Sequence, residues 1–414
     1  MNLLWFSHFV PFPPRGGPFQ RSFNLIRQIS KTYAISLVAF NLHTLPEDLV
    51  AEYSLELKKY CKEVEVWELP ARWRGARWLA EASLSLFYSK PFSCRAFWSR
   101  HLAERWQTIL ERHKDALLHF DSLDLALYAG QAEPFHKVLN HHNCESALTL
   151  RRAEEDANPI KRALFRDQAF KLVRLERAVC PRFDVNTVVS ELDASLLAHG
   201  DVKIHTHVVD NGVDTEYFKP IEGGEEPHTL LFTGLLRWVP NISAMRFFER
   251  EVWPPLKARY PDILLYLAGK DPPGAMMQWP RRDSRVRVVA NPDDMRPWLA
   301  RASVFVCPIL EGGGTRIKIL DAMSMARPVV STPIGCEGLR VTHGENILIA
   351  ENARDFARAI TSLLENETMR MRMGAAGRAL VEKHYRWERV AGQLEQSYRC
   401  ALNRAECGLH EGHP

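Results

Sequence analysis

The segment Glu311-Gly-Gly-Gly-Thr315-Arg316-Ile-Lys318-Ile-Leu-Asp321 puts two acids, three glycines, a hydroxyl and two cations into eleven residues. Three consecutive glycines let a backbone turn tightly and aim its N–H groups at a ligand. From Thr315 onward Ile317, Leu320, Ala322 and Met325 share one helical face, and Pro328 ends the helix. A glycine turn opening a helix N-terminus, with Arg316 and Lys318 beside it and Glu311 before it, suits a phosphate attached to a hydroxylated group. Gly312, Gly313, Gly314 and Thr315 are therefore candidate ligand-binding positions.

Other stretches carry weaker signals. Gly234-Leu-Leu-Arg237 and Asn241 follow an apolar run, and Gly16-Gly17 follows another; a plain turn is the competing reading of the glycine pair. His119, Asp121 and Asp124 stand at the end of a third run, where Asp121 and Asp124 can form a carboxylate pair or be ordinary solvated loop acids. His141-His142 invites a metal reading. Adjacent strand residues point to opposite faces, and no second cluster in the sequence completes a coordination shell. No metal is expected.

Groups of this kind need rigid elements beneath them. Apolar runs at 3–10, 33–40, 63–69, 115–119, 135–140, 183–190 and 204–209 alternate with helical patterns, and the alternation restarts at Thr229. Such a pattern predicts an α/β fold with doubly wound parallel sheets, whose ligands sit at the carboxyl ends of strands. At 414 residues the chain exceeds one ordinary core. The hydrophilic Pro/Gly stretch 220–227 reads as a linker, and the boundary between two Rossmann-like domains falls at about 210–227.

Composition excludes several classes. A hydrophobic fraction of 46% with 25% charged residues is that of a globular protein. A net charge of +4 does not argue for nucleic acid, and no nucleic-acid partner is expected. Eight cysteines without a C-x-x-C pair argue against zinc and against a disulfide framework, and fit a reducing cytoplasm. The N-terminus lacks the basic start of a signal peptide, and no window approaches a membrane span. Residues 72–106 interleave arginines with Trp73, Trp78, Phe87, Tyr88, Phe92, Phe97, Trp98 and Trp106. They read either as a partly buried helical excursion with a basic edge or as a surface for anionic lipid headgroups. The expected location is cytoplasmic, with peripheral contact on the inner face of the cytoplasmic membrane as the alternative.

Asp210-Asn-Gly-Val-Asp-Thr-Glu-Tyr-Phe-Lys-Pro220, Thr233-Gly234-Leu235, the Glu311 segment and Arg327-Pro-Val-Val-Ser-Thr-Pro-Ile-Gly335 together resemble the family 4 glycosyltransferases. Pro11-Phe-Pro-Pro-Arg-Gly-Gly17 and His142-Asn-Cys-Glu-Ser146 resemble the subgroup associated with exopolysaccharide assembly. The resemblance implies a GT-B architecture: two facing doubly wound domains with an interdomain cleft. They would span 1–210 (acceptor side) and 211–385 (nucleotide-sugar side), with a C-terminal helix and tail, 386–414, crossing back to the first domain.

It also implies a retaining, metal-independent transfer from a nucleotide-sugar donor to a saccharide or lipid-linked acceptor. Glu311 then contacts the donor sugar, and the Gly312–Gly314 amides hold sugar and distal phosphate. Asp321 bonds the ribose hydroxyls, being a shorter acid at a longer spacing than the family pattern. Arg237 and Lys318 neutralise the diphosphate, Asn241 assists, and Gly16 and Gly17 belong to a loop closing over the phosphates. His119 and Asp121 fall near the sugar's reactive face. The donor is a substrate, so no cofactor is implied. A GT-B-type epimerase and a non-catalytic sugar-nucleotide-binding protein remain as alternatives, told apart by whether nucleotide release needs a hydroxylated acceptor. A dehydrogenase would want the G-x-G-x-x-G turn that is missing after the first strand.

Overall fold

The computed structural model describes residues 1–14, 16–42, 44–69, 81, 84–198, 200 and 202–403. The chain forms two compact units, Met1–Asp210 with Val390–Pro414, and Asn211–Arg389. Each is built on one parallel sheet.

The first sheet has strands β1 (Asn2–Ser7), β2 (Ala34–Asn41), β3 (Cys61–Glu68), β4 (Leu117–Phe120), β5 (Lys137–Asn140), β6 (Val185–Val188) and β7 (Thr206–Val208), in the order β3-β2-β1-β4-β5-β6-β7. The second has β8 (Thr229–Leu235), β9 (Leu264–Lys270), β10 (Val286–Ala290), β11 (Val304–Cys307), β12 (Val329–Ser331) and β13 (Leu348–Ile349), in the order β10-β9-β8-β11-β12-β13. Strands buried on both faces read as unbroken apolar runs rather than alternating ones. Leu3–Phe6 and Leu230–Phe232 are both runs of this kind, each residue at most 1% exposed. Strand order reverses between β1 and β4 in the first sheet and between β8 and β11 in the second. At such reversals the loops diverge and leave a crevice at the strands' carboxyl ends.

Several local expectations change. The first helix, Gly17–Ile29, begins at the glycine pair itself. Gly16, at φ 113°, caps it in a conformation that glycine tolerates and other residues avoid. The helical stretch after β8, from Val239 to Arg259, is interrupted by a π turn at Phe248–Val252. Pro254 and Pro255 follow at once, and their missing N–H groups cannot continue the regular ladder. The two-residue strand β13 was not predicted.

The stretch read as a linker belongs to the second unit, where Glu226 donates its N–H to the Arg301 carbonyl at 2.9 Å. Residues 213–218 are pinned there too, with Val213 donating its N–H to the Tyr385 carbonyl at 2.8 Å. Arg378 Nη1 donates to the Thr215, Phe218 and Ser324 carbonyls at 3.0, 2.8 and 2.6 Å. One half-buried guanidinium thus ties 213–218 to the helix Ile317–Ser324. Cys400 is disulfide-bonded, a bond its spacing did not indicate, whereas the six other described cysteines are free and buried.

Candidate functional site

The second unit gathers its predicted residues at the reversal between β8 and β11. Gly234, at φ 140°, closes β8. A Cβ there would lie 2.9 Å from Lys318 Nζ, so glycine is what admits the lysine. Lys318 Nζ donates to Asn241 Oδ1 at 2.8 Å, and Asn241 Nδ2 in turn donates to the Leu235 carbonyl at 2.7 Å. The ammonium sits 4.1 Å from the centre of the Phe232 ring. Burial lowers the Lys318 amine to about 8, and neighbouring Arg316 adds to the effect. Asn241 therefore positions the lysine as the resemblance implied, while Phe232 is a contributor that spacing could not reveal.

The glycine loop after β11 is held from inside. Arg316 turns back so that Nη1 donates to the carbonyls of Gly313 and Gly314, the latter at 2.5 Å. It is 5% exposed and acts as a brace for the loop, not as the projecting cation the sequence suggested. Thr315 Oγ1 accepts from Asn211 Nδ2 at 2.6 Å, which ties the loop to the Asp210-Asn211-Gly212 turn. The regular helix begins at Ile317, two residues beyond Thr315.

Among the described hydrogen bonds and ion pairs, none involves the side chain of Glu311 or Asp321. Both residues are half-buried. Burial alone pushes the Asp321 carboxyl up to about 8. A carboxyl left without a partner in such surroundings is primed to bond incoming hydroxyls. Arg237, with its side chain 68% exposed, is 3.9 Å from Asp271 and otherwise projects from the β8 loop. Of the two candidate cations, Arg237 is exposed and Lys318 is fixed by its hydrogen bond to Asn241.

In the first unit, Asp121 is fully buried just past β4. Its Oδ2 accepts from Ser22 Oγ at 2.7 Å and Ser7 Oγ at 3.2 Å, and its Oδ1 from Asn140 Nδ2 at 3.1 Å. Burial alone would raise this carboxyl, but His142, His119 and His8 hold it well below the usual carboxylate range. An acid so depressed and so occupied is a fixed negative charge, poorly suited to taking up a proton. His119 stacks on Trp5 with ring centroids 3.8 Å apart, and its Nδ1 meets the Tyr398 hydroxyl at 3.0 Å. It is wholly buried and packs as a structural residue.

Gly16 and Gly17 open the first helix beside β1, as their spacing suggested. Asp124 is half-buried rather than solvated, and its charge helps push the Glu145 carboxyl up to about 7, after burial itself. The histidine pair divides as strand geometry predicts. His141 Nε2 pairs with Asn186 Oδ1 at 3.2 Å, while His142 turns toward Asp121 and His8. His8, Asp121 and His142 each bring one potential ligand atom within 4.8 Å of the others, a grouping that their spacing in the sequence does not show. Sequence reasoning also missed Arg21, which is 1% exposed, donates to the Asp210 carbonyl at 2.7 Å and to Asn140 Oδ1 at 3.1 Å, and is lowered by burial to about 10. Its only sequence signal is a charge on the apolar side of a helix.

Residues 227–366 match the family model described as Glycosyl transferases group 1. The lipopolysaccharide core biosynthesis glycosyltransferase LpsE of Rhizobium meliloti is 31% identical over 148 residues, 33% of this chain and 43% of that protein. Curated relatives are matched over 30% to 56% of their own length. Sucrose-phosphate synthase of Thermosynechococcus elongatus superposes with a TM-score of 0.70 at 17% identity, over 98% of this chain and 100% of that one. Alr3699/HepE of Anabaena, solved in complex with UDP, gives 0.66 at 14% identity over 96% and 100%. The fold is of the GT-B type, and the residues that match the family model lie within the second unit.

Proposed function

We propose that the protein is a glycosyltransferase that takes a sugar from a nucleoside-diphosphate sugar and delivers it to a hydroxyl of a saccharide or lipid-linked acceptor, with retention and without a metal on the diphosphate. The observation that carries this reading is the pairing, at one strand-order reversal, of two unbonded carboxyls (Glu311, Asp321) with a fixed and an exposed cation (Lys318, Arg237). Carboxyls recognise sugar and ribose hydroxyls. The cations, with the Gly312–Gly314 amides, stabilise the charge that grows on the departing diphosphate. The family match over this same unit supports the reading, as does the UDP bound by a protein of like fold. A diphosphate oxygen leaving on the face the acceptor approaches can take the acceptor's proton, so no protein base is required.

A thermal-shift screen against UDP, GDP, ADP, CMP and dTDP, with and without magnesium, tests the proposal. One diphosphate should stabilise the protein without metal, by about 2.7 kcal/mol at a hundred times its Kd. Glu311→Ala should keep the fold and lose at least a hundredfold in turnover. A strict magnesium requirement for nucleotide binding, or full turnover in the variant, would count against it.

The acceptor's setting is also part of the reading. Leu86 and Phe87 are 52% and 84% exposed, and Lys90, also exposed, follows closely. We assign them to contact with anionic lipid headgroups, which vesicle binding by a Phe87→Ser variant tests. Residues 70–80, 82 and 83 of the predicted basic segment lie outside the described residues.

A further inference from the structure

We propose that His8, Asp121 and His142 form a binding site for a divalent transition-metal cation of the zinc type, separate from the diphosphate-binding residues of the second unit. Three neighbouring strands, β1, β4 and β5, each deliver one of these residues just past their carboxyl ends. One potential ligand atom from each lies within 4.8 Å of the others. Atoms bound to one ion at about 2.1 Å are at most about 4.2 Å apart, so a side-chain adjustment of about half an ångström closes the set.

The hydrogen-bonding pattern points to a missing electropositive centre. Asp121 Oδ2 accepts from both Ser7 and Ser22, whereas Oδ1 accepts from Asn140, faces His119 Nε2 at 3.7 Å and has room for a further donor or cation. His142 Nε2 stands 3.5 Å from that Oδ1, buried and without a hydrogen-bond partner. The His142 side chain is 8% exposed, which closes it off from bulk solvent. His8 Nδ1 is likewise buried and unpartnered, and its ring is centred 5.6 Å from that of His142.

Two imidazoles and one carboxylate suit Zn²⁺, Co²⁺ or Mn²⁺ better than Mg²⁺ or Ca²⁺, which prefer all-oxygen shells. The second-shell bonds are already in place, because Ser7, Ser22 and Asn140 fix the carboxylate. Three protein ligands leave a fourth tetrahedral position for water or a substrate hydroxyl. The other cluster of this kind, His205 with His207 and Cys400, lacks a free thiolate because Cys400 is disulfide-bonded.

The test uses tag-free full-length protein, stripped with chelator and titrated with Co²⁺. One equivalent should bind with the intense visible bands of a low-coordinate site and raise Tm. His142→Ala and His8→Ala should each weaken binding at least tenfold, while His113→Ala, which removes a histidine elsewhere, leaves it unchanged. Absence of Co²⁺ and Zn²⁺ binding by the wild type at millimolar concentration overturns the proposal, whatever the variants do. So does unaltered binding in folded His142→Ala; if that variant does not fold, His142→Gln and His8→Ala decide in its place. Nucleotide-induced stabilisation is measured in parallel on the stripped protein. A loss of metal binding alone then marks the failure of this inference and leaves the donor reading standing.

Discussion

Lys318 shows how one residue's surroundings set a condition on function. Its amine is lowered to about 8, mainly by burial and then by Arg316, so the free protein holds the ammonium firmly only below that pH. A bound diphosphate favours the charged form and raises the value again. Above about pH 8, therefore, nucleotide binding must take up a proton, and affinity falls by up to about tenfold per pH unit. The sign is fixed by the direction of the shift: affinity is fully present below about 8 and is lost as pH rises past it. Calorimetric titration of the preferred nucleoside diphosphate between pH 6.5 and 9.5, in buffers of different ionisation enthalpy, measures both affinity and proton uptake. Lys318→Met should bind more weakly at pH 7 and show no such slope. A wild-type affinity that is flat to pH 9.5 would remove Lys318 from the diphosphate.

At the level of elements, the strands and the glycine loop were legible because burial on both faces and a three-glycine turn leave local signatures. Leu230–Phe232 and Glu311–Gly314 needed no tertiary information. The partners of Asp121 were not legible, since Ser7, Ser22, Asn140 and His142 come from separate elements and meet only through strand order. Arg316 failed for a related reason: its type marks a cation, but its direction depends on carbonyls that the loop itself leaves bare. The aromatic segment divides in the same way. Trp106 and Phe97 are core residues, as the bland reading had it, whereas Phe87 projects from the turn Ser85–Phe87. That turn is anchored by Lys171 Nζ, which donates to the Ser85 carbonyl at 2.7 Å, and the adjacent Phe170 is 63% exposed. The surface thus extends onto the helix Pro159–Val179, beyond the predicted range. Phe87→Ser with Phe170→Ser should cut sedimentation with anionic vesicles several-fold at low salt while leaving Tm and nucleotide binding unchanged. Equal sedimentation of variant and wild type would sink the lipid assignment.

Across the whole molecule, the two units differ in how the chain closes them. The second is one continuous segment, 211–389, with an apolar core that runs from Val213 to Tyr385 and draws on no residue outside it. Its nucleotide-binding candidates, Gly234 to Asp321, lie within the same segment. The first unit needs the chain's return. Tyr398 bonds the buried His119, Gln393 Nε2 donates to Asp210 Oδ2 at 2.9 Å, and Ser397 Oγ meets His207 Nδ1 at 3.2 Å. A fragment ending at residue 210 loses all three partners and leaves the wall around His119 open. Hence the segment 211–389 expressed alone should unfold cooperatively and gain about 2.7 kcal/mol from its nucleoside diphosphate at a hundred times Kd, with the same base preference as the full chain. The segment 1–210 alone should lack a sharp thermal transition and regain one when residues 390–402 are restored through a short linker. Circular dichroism melts of the three segments, with and without nucleotide, decide the matter. Nucleotide binding by 1–210, or none by a folded 211–389, would move the donor site off the glycine loop and take the proposed mechanism with it.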